Sequence, residues 1–597
     1  MFKFKFSYVM LAAALSSSFV YADPTTYTHS SGTKVIDIEK PNAAGVSHNM
    51  YRDFNVDSKG LILNNSANDL KHDSLGNIAK NNNLADGSAS VILNEVISDK
   101  SSALNGFIEV AGQKADVIIA NPNGISCSGC SFINTNKAVL TTGQVALDDT
   151  GAISKYTVTN GKITIGQNGM DASNSYAALL ADAVAINGTV NAANALVGAG
   201  NFTFNNSTGA MTSAGKSATV LQTLIPEYSI DISNLGGIKA NSISMVGNNL
   251  GFGMRNKGTI VTNTSLSMTS NGLLTNEGSI TSNGMLTQIV SSGNLKNTGN
   301  ISTTNTTLLN SLSSLTNSGT VSSTRPLLVN SSGNIENTGT LKSSTALSVA
   351  TNGNLKTTYG SNLLSDNQLV VTALGNIDNG GSTRGQNTIM TFGGNTLKVT
   401  GNVYGYDTLL IQAKKNDSMT SGEITNSGTT SGGSVTVQTN GTLALTANSR
   451  LLASKSLTLN SHWLNNANGS IRGDTATINI SNAVTSNFGE IIGGTVNIST
   501  SHDLLNEWLI QSFGDMTIDT QNKGNIINQE LMVANGTMTL NAKNVINGGY
   551  SCGLFGWNTC EVGTLKANKL VLNSYHNYAS NMGGNQYFKL SEVNKTN

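Results

Sequence analysis

A repeat of about 20 residues constrains the fold of this chain more than any other feature of its sequence. From residue 256 onward, an Asn-x-Gly segment flanked by apolar residues recurs at intervals of 20, 21, 20, 20 and 42 residues, the last interval being two periods. Its members begin at Asn256, Asn276, Asn297, Asn317, Asn337 and Asn379. A unit this short cannot bury its own apolar face, so it must stack on its neighbours as one coil of a solenoid.

Short apolar runs that alternate with polar residues predict strands in each repeat, and no 3.6-residue apolar period is evident. Leucine-rich repeats share the period but carry regular leucines and a helical segment, and loops between unrelated hairpins would not keep a constant interval. We therefore predict an all-β fold, a right-handed parallel β-helix. The recurring Asn should stack at one corner, where amide ladders are favourable, and the following Gly should supply the positive φ of a turn.

Composition narrows the possible functions. Charged residues make up 11% of the chain and the formal net charge is zero, whereas ordinary globular domains carry about 25% charged residues. A neutral chain lacks the basic surface that nucleic-acid binding requires, so we expect no nucleic-acid partner. The chain is therefore polar, has few charged residues, and is rich in residues that favour β-strands.

The amino-terminal residues 1–22 have the pattern of a secretory signal peptide. Lys3 and Lys5 precede a mostly apolar run, and the sequence ending at Ala22 offers a cleavage site with small residues. The mature chain is expected to begin at Asp23. No later stretch approaches the roughly 18 consecutive apolar residues of a membrane-spanning helix.

Catalytic and metal-binding patterns are missing from the sequence. The six histidines are scattered without ligand spacing, and neither a Gly-x-Ser-x-Gly elbow nor a phosphate-binding glycine loop occurs. Asp and Glu total 34 and fall mostly at isolated positions. We therefore predict no metal, no cofactor and no enzymatic activity, and a surface polysaccharide lyase is the remaining enzymatic alternative.

Residues 23–255 lack the repeat but contain β-type apolar runs and several distinctive motifs. The segment Asn121-Pro122-Asn123-Gly124 has turn chemistry that predicts a sharp reversal of the flanking strand. The other motifs span residues 41–49, 53–56, 64–66, 92–96, 120–125, 132–136 and 140–143.

In this order the motifs resemble the secretion domain of two-partner secretion exoproteins, which include filamentous haemagglutinin, haemolysins and contact-dependent growth inhibition proteins. The resemblance implies a right-handed β-helix capped at its amino-terminal end. It also implies export through the periplasm to the surface or medium, with recognition by the periplasmic domains of an outer-membrane β-barrel transporter. The implied secretion motif comprises Asn121, Pro122, Asn123, Gly124, Ile125, Asn134 and Asn136. We predict that Asn121 and Asn136 serve export and not activity toward a target.

The resemblance also suggests domain boundaries, because residues 236–238 and 251–256 are similar to the family's junction between secretion domain and shaft. We predict a signal peptide at 1–22, a secretion (haemagglutination activity) domain at 23–255 and a β-helical shaft at 256–545. Residues 546–597 would form a carboxy-terminal cap or a truncated end.

The four cysteines form two closely spaced pairs, Cys127 with Cys130 and Cys552 with Cys560. In a cytosolic chain Cys-x-x-Cys would suggest redox chemistry or half a zinc site. After a signal peptide, a local structural disulfide is the better interpretation for both pairs.

The tripeptide Arg472-Gly473-Asp474 matches the sequence that integrins recognise. We expect a turn between coils to expose it, and an accidental match is the alternative.

Two functions follow from the resemblance. One is a haemagglutinin or haemolysin-like exoprotein, a monomer that acts on host cells as adhesin or cytolysin. The alternative is a contact-dependent growth inhibition protein that acts on neighbouring cells, truncated or orphan, because residues 550–597 are too few for a toxin domain.

Overall fold

The computed structural model describes residues 23–73, 75–213, 228–249, 253–414, 422–548, 563–574 and 586–595. The predicted signal peptide and the pair Cys552 and Cys560 lie outside these residues. Within them the structure is almost entirely β, and its helical element is a single 3₁₀ turn at Asn82–Leu84. The predicted all-β class is confirmed.

Between Leu274 and Ala373, each coil contributes three short strands, one to each face of a three-sided solenoid. In the coil that begins at residue 274 these strands are Leu274–Asn276, Ser279–Ser282 and Leu286–Ser291. Each pairs in parallel with the equivalent strand one coil earlier and one coil later. Elsewhere in the shaft, longer strands such as Thr259–Ser270 run over two faces. The pairing joins 53 strands in one continuous sheet, so the predicted parallel β-solenoid is confirmed.

The strands of the sheet up to Asn256 are Thr26–Thr28, Lys34–Asp37, Val46–Tyr51, Leu61–Asn65, Val91–Val96, Ser102–Leu104, Phe107–Gly112, Ala115–Ala120, Ile125–Cys127, Cys130–Ile133, Thr135–Thr141, Lys162–Ile165, Met170–Ala181, Ala183–Ile186, Thr189–Ala199, Tyr228–Ile232, Gly237–Gly247 and Gly253–Asn256. The strands from there to residue 413 are Thr259–Ser270, Leu274–Asn276, Ser279–Ser282, Leu286–Ser291, Leu295–Asn297, Asn300–Thr303, Thr306–Ser311, Leu315–Asn317, Thr320–Ser323, Leu327–Ser331, Ile335–Asn337, Thr340–Ser343, Ala346–Thr351, Leu355–Thr357, Asn362–Ser365, Gln368–Ala373, Ile377–Asn379, Ser382–Phe392, Thr396–Val399 and Asn402–Ala413. The remaining strands are Glu423–Asn426, Thr429–Gln438, Thr442–Leu445, Arg450–Ala453, Ser456–Asn466, Ser470–Asn487, Glu490–Thr500, Leu504–Asn506, Leu509–Ser512, Met516–Asp519, Asn525–Asn528, Leu531–Ala542, Asn544–Asn547, Thr564–Ser574 and Gln586–Lys595.

One corner position stacks without interruption through 21 levels of the described solenoid. The residues in this corner column are Val56, Leu104, Cys127, Ile165, Ile186, Ile232, Asn256, Asn276, Asn297, Asn317, Asn337, Thr357, Asn379, Val399, Asn426, Leu445, Asn466, Asn487, Asn506, Asn528 and Asn547. The column is apolar up to Ile232 and becomes rich in asparagine at Asn256. The change coincides with the predicted boundary at residue 255, although the sheet itself continues across it.

The hydrophobic core runs along the axis of the solenoid. Successive coils place Leu295, Leu315, Ile335 and Leu355 directly above one another, each with 1% of its surface exposed. Because side chains alternate between the two faces of a strand, the residues that alternate with the buried ones along each strand point outward, and they are mostly Ser, Thr, Asn and Lys. This alternation explains how so polar a chain buries a continuous core.

The predicted asparagine ladder is confirmed. The Nδ2 group of Asn256 donates to Oδ1 of Asn276 over 2.8 Å, and equivalent bonds of 2.8 Å join Asn276 to Asn297 and Asn297 to Asn317. A second ladder begins at Asn466 and ends at Asn547, outside the region where the repeat is easily recognised.

The predicted role of the repeat glycines was wrong. Gly258, Gly278 and the equivalent glycines are absent from the residues with positive φ. They are required for a different reason: a Cβ added at Gly278 would overlap the carbonyl oxygen of Gly258, one coil earlier. The same overlap recurs between Gly299 and Gly278. The glycines therefore permit close stacking of backbone on backbone at the corner.

Three structures cover the first coils of the solenoid. Strand Thr26–Thr28 pairs antiparallel with Lys34–Asp37, and Leu70–His72 forms a hairpin with Gly76–Ile78. The third is a four-stranded antiparallel sheet of Gln144–Leu147, Ile153–Val158, Phe202–Asn205 and Met211–Ser213. Buried Tyr156 and Phe202 pack from this sheet against the solenoid.

Parallel pairing also extends beyond residue 545, where the sequence-based estimate ended the shaft. Thr564–Ser574 pairs with Leu531–Ala542, and Gln586–Lys595 pairs with Thr564–Ser574. In the described part of the chain, no helix is long and apolar enough to cross a membrane.

Candidate functional site: the Asn121 corner

The Asn121 side chain holds together a corner of the solenoid. Its Oδ1 accepts a hydrogen bond from the backbone N–H of Asn123 at 2.9 Å. Its Nδ2 donates to the carbonyl of Lys100 and to Oγ of Ser102, both at 2.9 Å and both in the preceding coil. With 0% of its surface exposed, Asn121 has its carboxamide satisfied entirely inside the protein. It therefore ties the turn to the coil below.

The turn is a coil corner and not the sharp reversal that the sequence suggested. The N–H of Gly124 donates to the carbonyl of Asn121 at 3.1 Å, which closes a β-turn with Pro122 at its second position. The strands on either side, Ala115–Ala120 and Ile125–Cys127, each pair in parallel with strands of neighbouring coils. A φ of +112° at Gly124 directs the chain onto the next face. Parallel stacking, which sequence inspection cannot see, decides that the chain turns a corner.

Two other motif residues lie where the chain enters the next coil, at the passage from Cys130–Ile133 to the strand Thr135–Thr141, which pairs with Ala115–Ala120. Asn134 has a φ of +55°, and its Nδ2 donates to the carbonyls of Val110 at 2.7 Å and Gly112 at 3.0 Å. Asn136 is exposed and lies inside strand Thr135–Thr141, not before it as the sequence suggested.

Asn136 belongs to a small polar cluster beside the four-stranded sheet. Burial raises the pKa of the Asp116 carboxyl, and Lys137 together with a hydrogen bond from the Asn136 side chain opposes this rise. Burial lowers the pKa of Lys137, whose ammonium donates to Oδ1 of Asn206 at 3.1 Å. The cluster thus links the solenoid face to the covering sheet.

Cys127 and Cys130 form a disulfide with a Cα–Cα distance of 5.4 Å. Cys127 occupies the corner column between Leu104 and Ile165, and both cysteines are buried. The bridge lies one strand after the Asn121 corner, in the same coil.

Sequence inspection missed two histidine–carboxylate pairs between coils. His48 Nε2 lies 2.7 Å from Glu95 Oε2, and His72 Nε2 lies 3.0 Å from Glu109 Oε1. Finding them requires the register between coils, and the first coils have no regular repeat from which to infer it. Among the described residues, no three His, Cys, Asp or Glu side chains come together as a metal site.

The Arg472-Gly473-Asp474 tripeptide lies within strand Ser470–Asn487, so the expected turn was wrong. Gly473 is buried, and the exposed Arg472 pairs with Glu490 at 2.5 Å between Nη2 and Oε1. Stacking of this segment on Arg450–Ala453 and Glu490–Thr500 explains its extended conformation.

Residues 16–281 match the family model described as TPS secretion domain. The toxin CdiA of Yersinia pestis is 40% identical over 257 residues, which are 43% of this chain and 8% of that protein. The hemolysin of Serratia marcescens is 42% identical over 146 residues, covering 24% of this chain and 9% of that protein. The crystal structure of the filamentous hemagglutinin secretion domain is 30% identical, with a TM-score of 0.40, and the match covers 47% of this chain and 94% of that domain.

The matches thus span less than a tenth of the length of these two curated relatives. The fold is a parallel β-solenoid, and its first coils match a secretion domain. These two features together are those of a class of exported β-helical proteins. Residues 16–281 of this chain thus contain the secretion domain of two-partner secretion exoproteins.

Proposed function

We propose that residues 23–255 form the export module of this exoprotein and that residues 256–545 form a shaft presented at the cell surface or released. The match of residues 16–281 to a TPS secretion domain carries this proposal. The partner would be an outer-membrane β-barrel transporter whose periplasmic domains bind the module. No nucleic acid is needed for this role, and the chain would act as a monomer.

Asn121 and Asn136 would act in export by different routes. Because the Asn121 side chain is fully buried, a transporter cannot touch it once the corner has formed. Asn121 would therefore act by stabilising the corner, or the transporter would recognise it before the coil folds. Asn136 is exposed, and its contact with Asp116 supports a role in holding the covering sheet in place.

The test compares the surface and medium levels of Asn121→Ala and Asn136→Ala with wild type in cells that carry the transporter. We expect both variants to accumulate in the periplasm. For Asn121→Ala the reason is the loss of four hydrogen bonds around one buried carboxamide, a cost of about 1–3 kcal/mol for each polar group left unpaired.

Two matched substitutions in the shaft serve as controls. Asn506→Ala also removes a buried carboxamide, which donates to Asn528 at 2.8 Å, and Asn402→Ala removes an exposed one. Both should be exported normally. Normal export of Asn121→Ala and Asn136→Ala, with loss of binding or lysis, would contradict the proposal and assign these residues to target recognition.

On the target side, we favour a haemagglutinin or haemolysin-like role, with the shaft acting on host cells as adhesin or cytolysin and without enzymatic chemistry of its own. The 42% identity to a hemolysin over 146 residues supports this role. The experiment adds purified exported protein to erythrocytes and scores agglutination and haemoglobin release.

A second candidate is a role in contact-dependent growth inhibition. The 40% identity to toxin CdiA over 257 residues favours it. The genes adjacent to this one distinguish the two roles: a transporter gene alone supports the first, and an added gene for a small immunity protein supports the second.

A further inference from the structure

A recess of about 260 Å³ opens at the corner of the shaft, far from the export module. Its walls include Asn448, Arg450, Asn468, Glu490 and Trp508, which come from four successive coils. None of these residues belongs to the secretion motif.

The recess exists because the corner turns shorten along the shaft. Leu445 and Arg450 are separated by a longer turn than Asn487 and Glu490, the equivalent residues two coils later. The longer turns contain Asn448 and Asn468, with φ values of +66° and +65°. The corner therefore steps inward toward Glu490 and Trp508.

Trp508 provides an aromatic wall. It is one of 3 tryptophans in the chain, and 56% of its surface is exposed. It follows the corner residue Asn506 by two positions, where most coils of the shaft have the close-packed glycine. An indole at this position contributes little to the core, and its exposed apolar face is available to a ligand.

The charges in and around the recess are unbalanced. Arg472 holds Glu490 with Nε at 3.1 Å and Nη2 at 2.5 Å from the same carboxylate oxygen. Burial raises the pKa of Glu490, but hydrogen bonds from Ser470 and Arg472 and the charges of Arg472 and Arg450 lower it below its ordinary value. The charges of two guanidinium groups thus act on one carboxylate. Arg450 itself has no ion pair among the described residues.

We propose that this recess binds a pyranose ring that carries a carboxylate, such as a uronic or sialic acid of a surface glycan. The C–H face of the sugar would stack on the Trp508 indole. Arg450 would pair with the sugar carboxylate, since guanidinium matches carboxylate geometry. The Asn448 and Asn468 carboxamides and the Glu490 carboxylate offer donors and acceptors for ring hydroxyls. The volume suits one sugar ring.

The test titrates purified exported protein with 3′-sialyllactose, trigalacturonate and neutral lactose by isothermal calorimetry. The two acidic probes separate host-type sialic acid from uronic acid as the source of the carboxylate. We expect binding of at least one acidic probe, no comparable binding of lactose, and weaker binding at high salt because the charges are partly exposed. If neither acidic probe binds, the proposal is wrong.

Two substitutions locate the site. Trp508→Ala should weaken binding about tenfold, because it removes the aromatic face on which the sugar ring stacks. Arg450→Gln should abolish the preference for acidic over neutral sugars. Phe513→Ala and Arg325→Gln, an exposed aromatic and an exposed arginine outside the recess, should bind as wild type. Unchanged affinity in both recess variants would also overturn the proposal.

Discussion

At the scale of single residues, the asparagine and the glycine of the repeat solve two problems that arise from stacking identical coils. Asn297 must bury a polar side chain and satisfies it with the same side chain above and below. Gly319 must let two backbones approach, since a Cβ there would overlap the carbonyl oxygen of Gly299. Replacement of either residue therefore acts on the neighbouring coils.

We predict that Gly319→Ala destabilises the shaft by about 2 kcal/mol or more, because the added methyl meets rigid backbone and not a movable side chain. The measurement is the guanidinium unfolding midpoint of purified exported protein. Ser318→Ala, an exposed change at the adjacent position, is the control and should leave the midpoint unchanged. Equal midpoints for the two variants would show that the coils can move apart at no cost.

At the scale of elements, the ladder has a direction. From Asn256 to Asn317, each asparagine donates its Nδ2 to the Oδ1 of the asparagine in the following coil, so the first member, Asn256, has an Oδ1 with no hydrogen-bond partner. In the coil before it, Ile232 occupies the same corner, and its apolar side chain has no hydrogen-bond donor. At Thr357 the ladder changes chemistry, and the hydroxyl donates to Asn379 at 3.1 Å.

We predict that Asn297→Ala loosens the coils on both sides, because Asn276 loses its acceptor and Asn317 loses its donor in a buried site. Hydrogen exchange of Leu274–Asn276 and Leu315–Asn317 should accelerate at least about tenfold. Exchange near Asn528 should not change, since solenoid stability is a sum of near-neighbour terms. Asn300→Ala, an exposed change in the same coil, is the control, and equal exchange in both variants would contradict a stabilising ladder.

At the scale of the whole molecule, the corner column runs through one continuous solenoid. Six levels, from Val56 to Ile232, lie in the proposed export module, and fifteen levels, from Asn256 to Asn547, lie in the proposed shaft. With neighbouring strands about 4.8 Å apart, the described levels extend over roughly 100 Å.

We predict that small-angle scattering of the exported protein gives a rod with a largest dimension of at least about 100 Å. A compact chain of this length would have a radius of gyration of about 25 Å and a much smaller largest dimension. Dilution should leave the scattering curve unchanged if the rod is a monomer. A compact, spherical profile would contradict the continuous solenoid.

The sequence by itself determined the architecture, because successive coils of a solenoid have about the same length and the sequence pattern therefore repeats with that period. The interval between Asn256 and Asn276 equals one coil, and the alternation around Leu295 marks the buried face of each strand. The asparagine ladder followed from the same reasoning, since identical residues one period apart must stack. Where the period is lost, as around Val399 and Leu445, the corner could not be assigned from the sequence.

The tertiary structure decided what depends on distances between coils. The requirement for glycine at position 278 comes from the proximity of two backbones and not from a positive φ. Because Asn121 is fully buried, its side chain makes its contacts within the fold. Pairing with neighbouring strands placed Arg472 in a strand beside Glu490. The recess at Trp508 arises from differences in turn length between stacked coils. None of these features is local in sequence, because each is created by residues about one coil apart whose register is known only once the coils are stacked.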